Sequence, residues 1–210
     1  MENIILSCVD CGVINCDKQN CKYPSFCLTK KLNKEIESEA MHKYNDEDNK
    51  NIMISAVEVE YEGYNALTRV EETIKFAKKL GVKKIGIATC VGLIRESKIL
   101  SKILRKHDFE VYGVGCKVGA ILKTTVGIDE KCNEVGKNMC NPILQAEILN
   151  KENTDLNIVM GLCVGHDSLF YKHSNAIVTT LVVKDRVMGH NPVAALYTSN
   201  SYCKKLYDIE

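Results

Sequence analysis

The sequence predicts an α/β protein. Its sheet is small, open and mainly parallel, about four strands with helices on both faces, and a short cysteine-rich metal-binding module precedes it. Three observations carry this. From Thr68 onward short apolar runs alternate with helical periodicities of ten or more residues, as expected of parallel strands joined by crossover helices. Most of those runs end in a turn containing glycine or cysteine. The chain also holds 11 cysteines, five of them in residues 1–30.

The elements follow in order. Residues 31–66 read as a helical connector: Leu32 to Asp48 is polar and helix-prone. In "IMISAVEVEYEGY" the spacing of Ile52, Ala56 and Val59 favours helix over the competing strand alternation of Val57, Val59 and Tyr61. Thr68 and Glu71 form a capping box for a helix whose inner face is Val70, Ile74, Ala77 and Leu80, and which Gly81 ends. "KKIGIAT" is a buried strand. "LIRESKILSKILRKH" is a helix with Ile99, Leu100, Ile103 and Leu104 predicted inward, and "FEVYGVG" is the next strand. A polar loop from Thr124 to Met139 leads to a helix opening at Pro142. "LNIVMGL" and "AIVTTLVV" are strands flanking a short helix from about Asp167, and a last helix is expected from Pro192 to the C-terminus.

Composition excludes some classes of function. A net charge of +1 with 26% charged residues offers no single-sign field for nucleic acid or acidic lipid. No apolar run approaches the ~20 residues of a membrane helix. The start "MENIILSCVD" lacks the basic segment of an export signal, so a cytoplasmic location is expected. Thiols stay reduced in that compartment, and so many cysteines then argue for metal or redox chemistry over disulfides.

The later cysteines sort by position. Cys90, Cys116 and Cys163 each end a predicted strand, and Cys140 immediately precedes the Pro142 helix. In an open parallel sheet these ends share one edge, where ligands bind. Three sit in similar contexts, "CVG", "CKVG" and "CVG", with Gly92, Gly119 and Gly165 letting the backbone turn close to a bulky group. Amide groups at the following helix starts stabilise thiolate. Thiolates facing one spot repel unless a cation or cluster joins them, and a [4Fe–4S] cluster suits amide-lined sulfurs. Cys132, in the polar loop, and Cys203, on the expected last helix, read as ordinary small residues. In the N-terminal run, Cys8-x2-Cys11 is a chelating knuckle that Cys16 and Cys27 complete, with Cys21 surplus; zinc and iron–sulfur both fit.

"GLCVGHD" also has the spacing of a hydrolase elbow, with Cys163 as nucleophile, His166, His173 or His190 as base, and Asp167 or Asp185 as orienter. Too little chain follows Cys163 to build the usual scaffold, and the elbow leaves Cys90, Cys116 and Cys140 unexplained. His166 and Asp167 remain the candidate catalytic groups, as titratable neighbours of the proposed centre. A dinucleotide fingerprint is lacking.

The strings "CVDCGVINC", "YPSFC", "IGIATCVGL", "CKVGAI", "MCNPILQAEILN", "DLNIVMGLCVGHDSLF" and "VVKDRVMGHNPVAALY" together resemble one family. It is the cysteine-rich, predicted metal-binding family catalogued as domain of unknown function 1847, found largely in anaerobic microbes. The resemblance spans nearly the whole chain. It implies metal binding without an established reaction, and it points to Cys8, Cys11, Cys16, Cys27, Cys90, Cys116, Cys140, Cys163 and His166. Its anaerobic setting favours iron–sulfur over zinc.

The expectation is thus a metal-binding module over residues 1–30, the connector over 31–66 and an α/β domain over 67–210. Its role would be electron transfer or reductive chemistry, toward a redox partner protein or a small-molecule substrate. A zinc-stabilised binding module without a redox role is the alternative.

Overall fold

The computed structural model describes residues 4–208. The chain divides into two compact units, with the boundary between Val57 and Glu58. The first holds the N-terminal cysteines, helix α1 (Lys34–His42) and most of α2 (Glu47–Gly63). Asn33 caps α1 through its side chain, which accepts from the Glu35 amide, and Glu35 and Glu37 occupy the first turn where the helix dipole favours acid. The helical reading of "IMISAVEVEYEGY" holds. Ser55, Val59 and Gly63 are buried at a spacing of four, whereas Val57 and Tyr61 are exposed.

The second unit carries the sheet. Its first helix, α3 (Arg69–Lys79), begins with the predicted capping box at Thr68 and Glu71, and Gly81 follows in the left-handed conformation. Then come β1 (Lys84–Thr89), α4 (Ile94–Lys106), β2 (Glu110–Gly115), α5 (Pro142–Lys151), β3 (Leu156–Met160), α6 (His166–His173), β4 (Ile177–Val182) and the short α7 (Val193–Tyr197). The strands run parallel in the order β2-β1-β3-β4. The chain leaves β1 for β2 on one side and later returns to β3 on the other. The switch in strand order therefore lies between the ends of β1 and β3, where open α/β sheets bind ligands.

Alternation along the strands sends residues to two separate cores. Ile85, Ile87, Leu156, Ile158 and Met160 pack with Ile74 and Ala77 of α3 and with Leu100 and Leu104 of α4. Ala88, Val114 and Val159 pack on the opposite face with Ala146 and Leu149 of α5 and Phe170 of α6. Full burial of each large aliphatic is worth about 1.5–3 kcal/mol. Gly86 is required in this second layer: an added Cβ would lie 2.0 Å from Oδ1 of Asn157. That buried amide accepts from Thr154 at 2.8 Å and donates to Ser174 at 2.8 Å.

Two expectations are corrected. Ile99 points outward, 60% exposed, and the hidden face of α4 is Ser97, Leu100 and Leu104. Ser97 is buried because its hydroxyl donates to that of Thr89, which satisfies a polar group that hydrophobic patterning places outside. The last helix stops at Tyr197. Thr198 turns its hydroxyl back onto the Ala194 carbonyl, and the polar "TSNSY" continues as turns. The expected loop at Thr124–Met139 is largely two 3-10 turns, Lys123–Val126 and Glu130–Val135.

Candidate metal centre

The C-terminal ends of β1, β2 and β3 bring the predicted cysteines to one edge, and backbone bonds lock each in place. The Cys90 amide donates to the Met160 carbonyl at 3.0 Å, tying the end of β1 to that of β3. The Cys116 amide donates to Thr89 at 2.8 Å, and the Cys116 carbonyl accepts from the Asn141 amide at 2.8 Å. That last bond seats the start of α5, with Asn141 as its N-cap, and so places Cys140 beside Cys116. The Cys163 carbonyl accepts from the His166 and Asp167 amides at 2.9 and 3.1 Å. Gly161, two residues earlier, has φ +68, and an added Cβ there would lie 2.1 Å from Leu93, so only glycine admits this turn.

The sulfurs meet at two of the four positions directly. Sγ of Cys140 and Sγ of Cys116 are hydrogen-bonded at 3.6 Å, and the Val91 amide donates to Sγ of Cys116 at 3.5 Å. Cys116 and Cys90 are buried, while Cys140 and Cys163 are partly open. Their ionisation divides. The hydrogen bond shared with Cys116 brings Cys140 down to about 5, aided by the charges of Lys117 and His166 and opposed by burial. The same bond pushes Cys116 up, reinforced by burial and by the neighbouring thiols Cys140 and Cys90. Of the two thiols, Cys140 is the more readily ionised.

Cations that the sequence reading missed surround these sulfurs. Arg186, from the turn after β4, donates to Sγ of Cys163 at 3.1 Å. That bond strengthens its hold on its proton, as do the charges at Cys163, Cys90 and Cys140. Nζ of Lys184 lies 3.7 Å from where a Gly92 Cβ would stand, a point itself 3.8 Å from Sγ of Cys90. Lys117 donates to the Asn138 carbonyl. Arg186 and Lys184 were legible by the rule that identified the cysteines, since "VKDR" leaves the same edge of β4. Gln145 was not. It is wholly buried, and its Nε2 donates to the carbonyls of Thr89 at 3.2 Å and Val114 at 2.7 Å, bracing the two strand ends that carry Cys90 and Cys116.

The candidate catalytic residues fare differently. His166 opens α6 within electrostatic reach of Cys140. Asp167 lies in the first turn of α6, its carboxylate accepting from the Ser168 amide at 2.8 Å. Asp185 accepts from the Val187 and Met188 amides, and Nδ1 of His190 accepts from the Asp185 amide. These bonds close a turn, and in it neither Asp185 nor His190 is hydrogen-bonded to Cys163. Gly119 and Gly165 take φ +81 and +83 in the turns after Cys116 and Cys163, whereas Gly92 sits in the 3-10 turn after Cys90. Among the described residues no three His, Cys, Asp or Glu side chains form a ready-made ion site.

In the first unit Cys8, Cys16 and Cys21 are exposed, Cys11 is partly buried and Cys27 is buried. Tyr23 shows which of them gather. Burial pushes its hydroxyl up to about 12, helped by hydrogen bonding with Cys21 and by the charges of Cys21, Cys16 and Cys27. Cys21, set aside as surplus, belongs to this group. Cys8 opens a turn closed by Ser7 and Asp10, and Sγ of Cys11 bonds the Val13 carbonyl at 3.7 Å. Cys132 and Cys203 stand apart, in the second 3-10 turn of the loop and in a buried C-terminal position.

Residues 27–181 match the family described as "Protein of unknown function (DUF1847)". The chain belongs to this family. The match covers all four sheet-edge cysteines and begins at Cys27, after Cys8, Cys11, Cys16 and Cys21. The chain is also similar to a protein of Methanocaldococcus jannaschii described as "Uncharacterized protein MJ0455", with 48% identity over 194 residues, 92% of this chain and 96% of that one. Among the described residues no helix is long and apolar enough to cross a membrane.

Proposed function

We propose that this DUF1847 protein binds metal through thiolates at the sheet edge, with Cys90, Cys116, Cys140 and Cys163 holding an iron–sulfur centre in an electron-transfer or reductive role. One observation carries the reading: four cysteines from three strand-to-helix connections lie along the edge that holds the topological switch, two of their sulfurs in contact, with an amide on one and a guanidinium on another. Amide and cationic donors to sulfur offset the negative charge that thiolates bring to a buried cluster and tune its potential. The centre would supply the electron. The chain's own residues would hold the thiolates: Val91 through its amide, Arg186 through its guanidinium, and Lys184 and Lys117 through charge. The second centre of the proposal lies on the N-terminal cysteines. There Cys16, Cys21 and Cys27 gather about Tyr23, and Cys8-x2-Cys11 supplies the knuckle. The setting proposed is the cytoplasm, with a redox protein or small molecule as partner.

One distance favours a second reading. Ligands bound at ~2.3 Å to one tetrahedral ion stand about 3.8 Å apart, near the 3.6 Å between Cys116 and Cys140. Cysteines on a [4Fe–4S] cluster stand wider, at roughly 6–7 Å. A single ion, zinc foremost, would make this a structural or binding module without a redox role. Metal and acid-labile sulfide analysis of protein purified without oxygen separates the two. Iron with matching sulfide supports the redox reading, zinc alone supports the second, and neither metal defeats both.

A further inference from the structure

The face of the sheet away from the thiols carries a groove of about 530 Å³ between α4 and strands β1 and β2. Its apolar surface comes from half-buried Val111 of β2 and from Ile94 of α4, which is 55% exposed, above a buried Ile87 of β1. Gly113 stands opposite Ile87 in the strand register. A Cβ built there would meet only Ile87, at 3.9 Å and beyond, an ordinary contact. Packing therefore does not demand glycine at this position, and its effect is to leave the floor open. A glycine inside a strand otherwise weakens it, and often marks where a ligand approaches.

The rim is cationic. Arg95 and Lys98 are three residues apart and so neighbours on the helix surface, both exposed and within the first turns of α4. Arg105 closes the far end, its guanidinium donating to the Val111 carbonyl at 3.2 Å. Among the described residues the ion pairs engage Lys34, Lys75, Lys79, Lys84 and Lys131, and none engages Arg95, Lys98 or Arg105. No carboxylate lines the groove. Its hydroxyls are already spent: Ser97 donates to Thr89, Thr89 to the Cys90 carbonyl, and Ser101 to the Lys98 carbonyl. What the groove still offers a ligand is apolar surface and positive charge.

We propose that this groove binds an amphipathic organic anion. A carboxylate or phosphate head lies between Arg95 and Lys98, where the amino end of α4 adds to the attraction. The apolar body lies on Ile94 and Val111 in the space left by Gly113. The volume falls within the range of small-molecule pockets. Recognition is by charge complementarity and apolar burial, and none of the four cysteines lines the groove.

Two fluorescent probes of nearly the same shape test it on the full chain: anilinonaphthalene sulfonate, which is anionic, and phenylnaphthylamine, which is neutral. The anionic dye should bind roughly tenfold tighter than the neutral one. Arg95→Glu and Lys98→Glu, both at exposed positions, should each weaken the anionic dye by roughly tenfold and leave the neutral one little changed. Gly113→Leu, with its fold checked by circular dichroism, should exclude both dyes from the groove. Decanoate or adenosine monophosphate should displace the anionic dye, and the better competitor reveals whether the body is acyl or nucleoside. Equal binding of the two dyes, full retention of the anionic dye by both Glu variants, or displacement by neither competitor at millimolar concentration would overturn the proposal.

Discussion

In metal-free protein, Cys140 should stay reactive at pH values where other thiols go silent. Its pKa of about 5 comes first from the Cys116 hydrogen bond and then from Lys117 and His166, against the cost of burial. At pH 7 such a thiol is about 99% ionised, whereas an ordinary one with pKa ~8.5 is about 3% ionised. A less basic thiolate is also a poorer nucleophile: a Brønsted coefficient of ~0.45 over ~3.5 units lowers its intrinsic rate roughly 40-fold. The two effects nearly cancel at neutral pH, so a single rate there says little. At about pH 5.5 the ordinary thiol is ~0.1% ionised and Cys140 still about three-quarters, which leaves Cys140 faster by roughly 20-fold. The assay is iodoacetamide labelling across pH, read by peptide mass spectrometry against a simple peptide thiol. Cys116→Ala removes the largest cause and should move the inflection toward the ordinary range, and Lys117→Ala should move it less far in the same direction. A Cys140 rate that falls about tenfold per unit from pH 8 to pH 6 would refute this account of the pair.

Other predictions test the frame that holds the site. Gly86→Ala drives a methyl group into Asn157 and breaks its buried bonds to Thr154 and Ser174; a loss of about 2–4 kcal/mol is expected in denaturant unfolding. Gln145→Ala takes the Nε2 donor from the Val114 carbonyl, leaves the Thr89 carbonyl with the Cys116 amide alone, and opens a void; it should cost about 2–4 kcal/mol in the same measurement. Joint replacement of Cys8 and Cys11 by Ser should release one metal equivalent while the circular dichroism of the sheet persists, and unchanged metal content would defeat the N-terminal site.

The architecture was legible wherever local signals agreed. The capping box at Thr68, the buried run "KIGIAT" and Pro142 behind an Asn cap each rest on a few adjacent residues, and each element formed where those residues placed it. Topology then carried Cys90, Cys116, Cys140 and Cys163 to one edge, because parallel strands end together. What was not legible depends on tertiary partners. Ile99 fits an apolar stripe by spacing, yet Ser97 takes the buried place through its bond to Thr89. Gln145 reads from sequence as an ordinary polar helix residue, yet it is wholly buried. Cys21 lies near Tyr23 together with Cys16 and Cys27, a grouping that spacing alone does not reveal. No rule of spacing ranks five cysteines within twenty residues.

The central claim is that four cysteines act as one ligand set, and a serine series tests it most directly. Protein purified without oxygen should be brown, with a broad sulfur-to-iron charge-transfer band that bleaches on reduction. Single Ser substitutions at Cys90, Cys116, Cys140 and Cys163 should each abolish or shift that same band, and those at Cys132 and Cys203 should leave it unchanged. A band untouched by any of the four substitutions, or a fully reduced and metal-free protein whose fold and stability survive all four, would contradict the account.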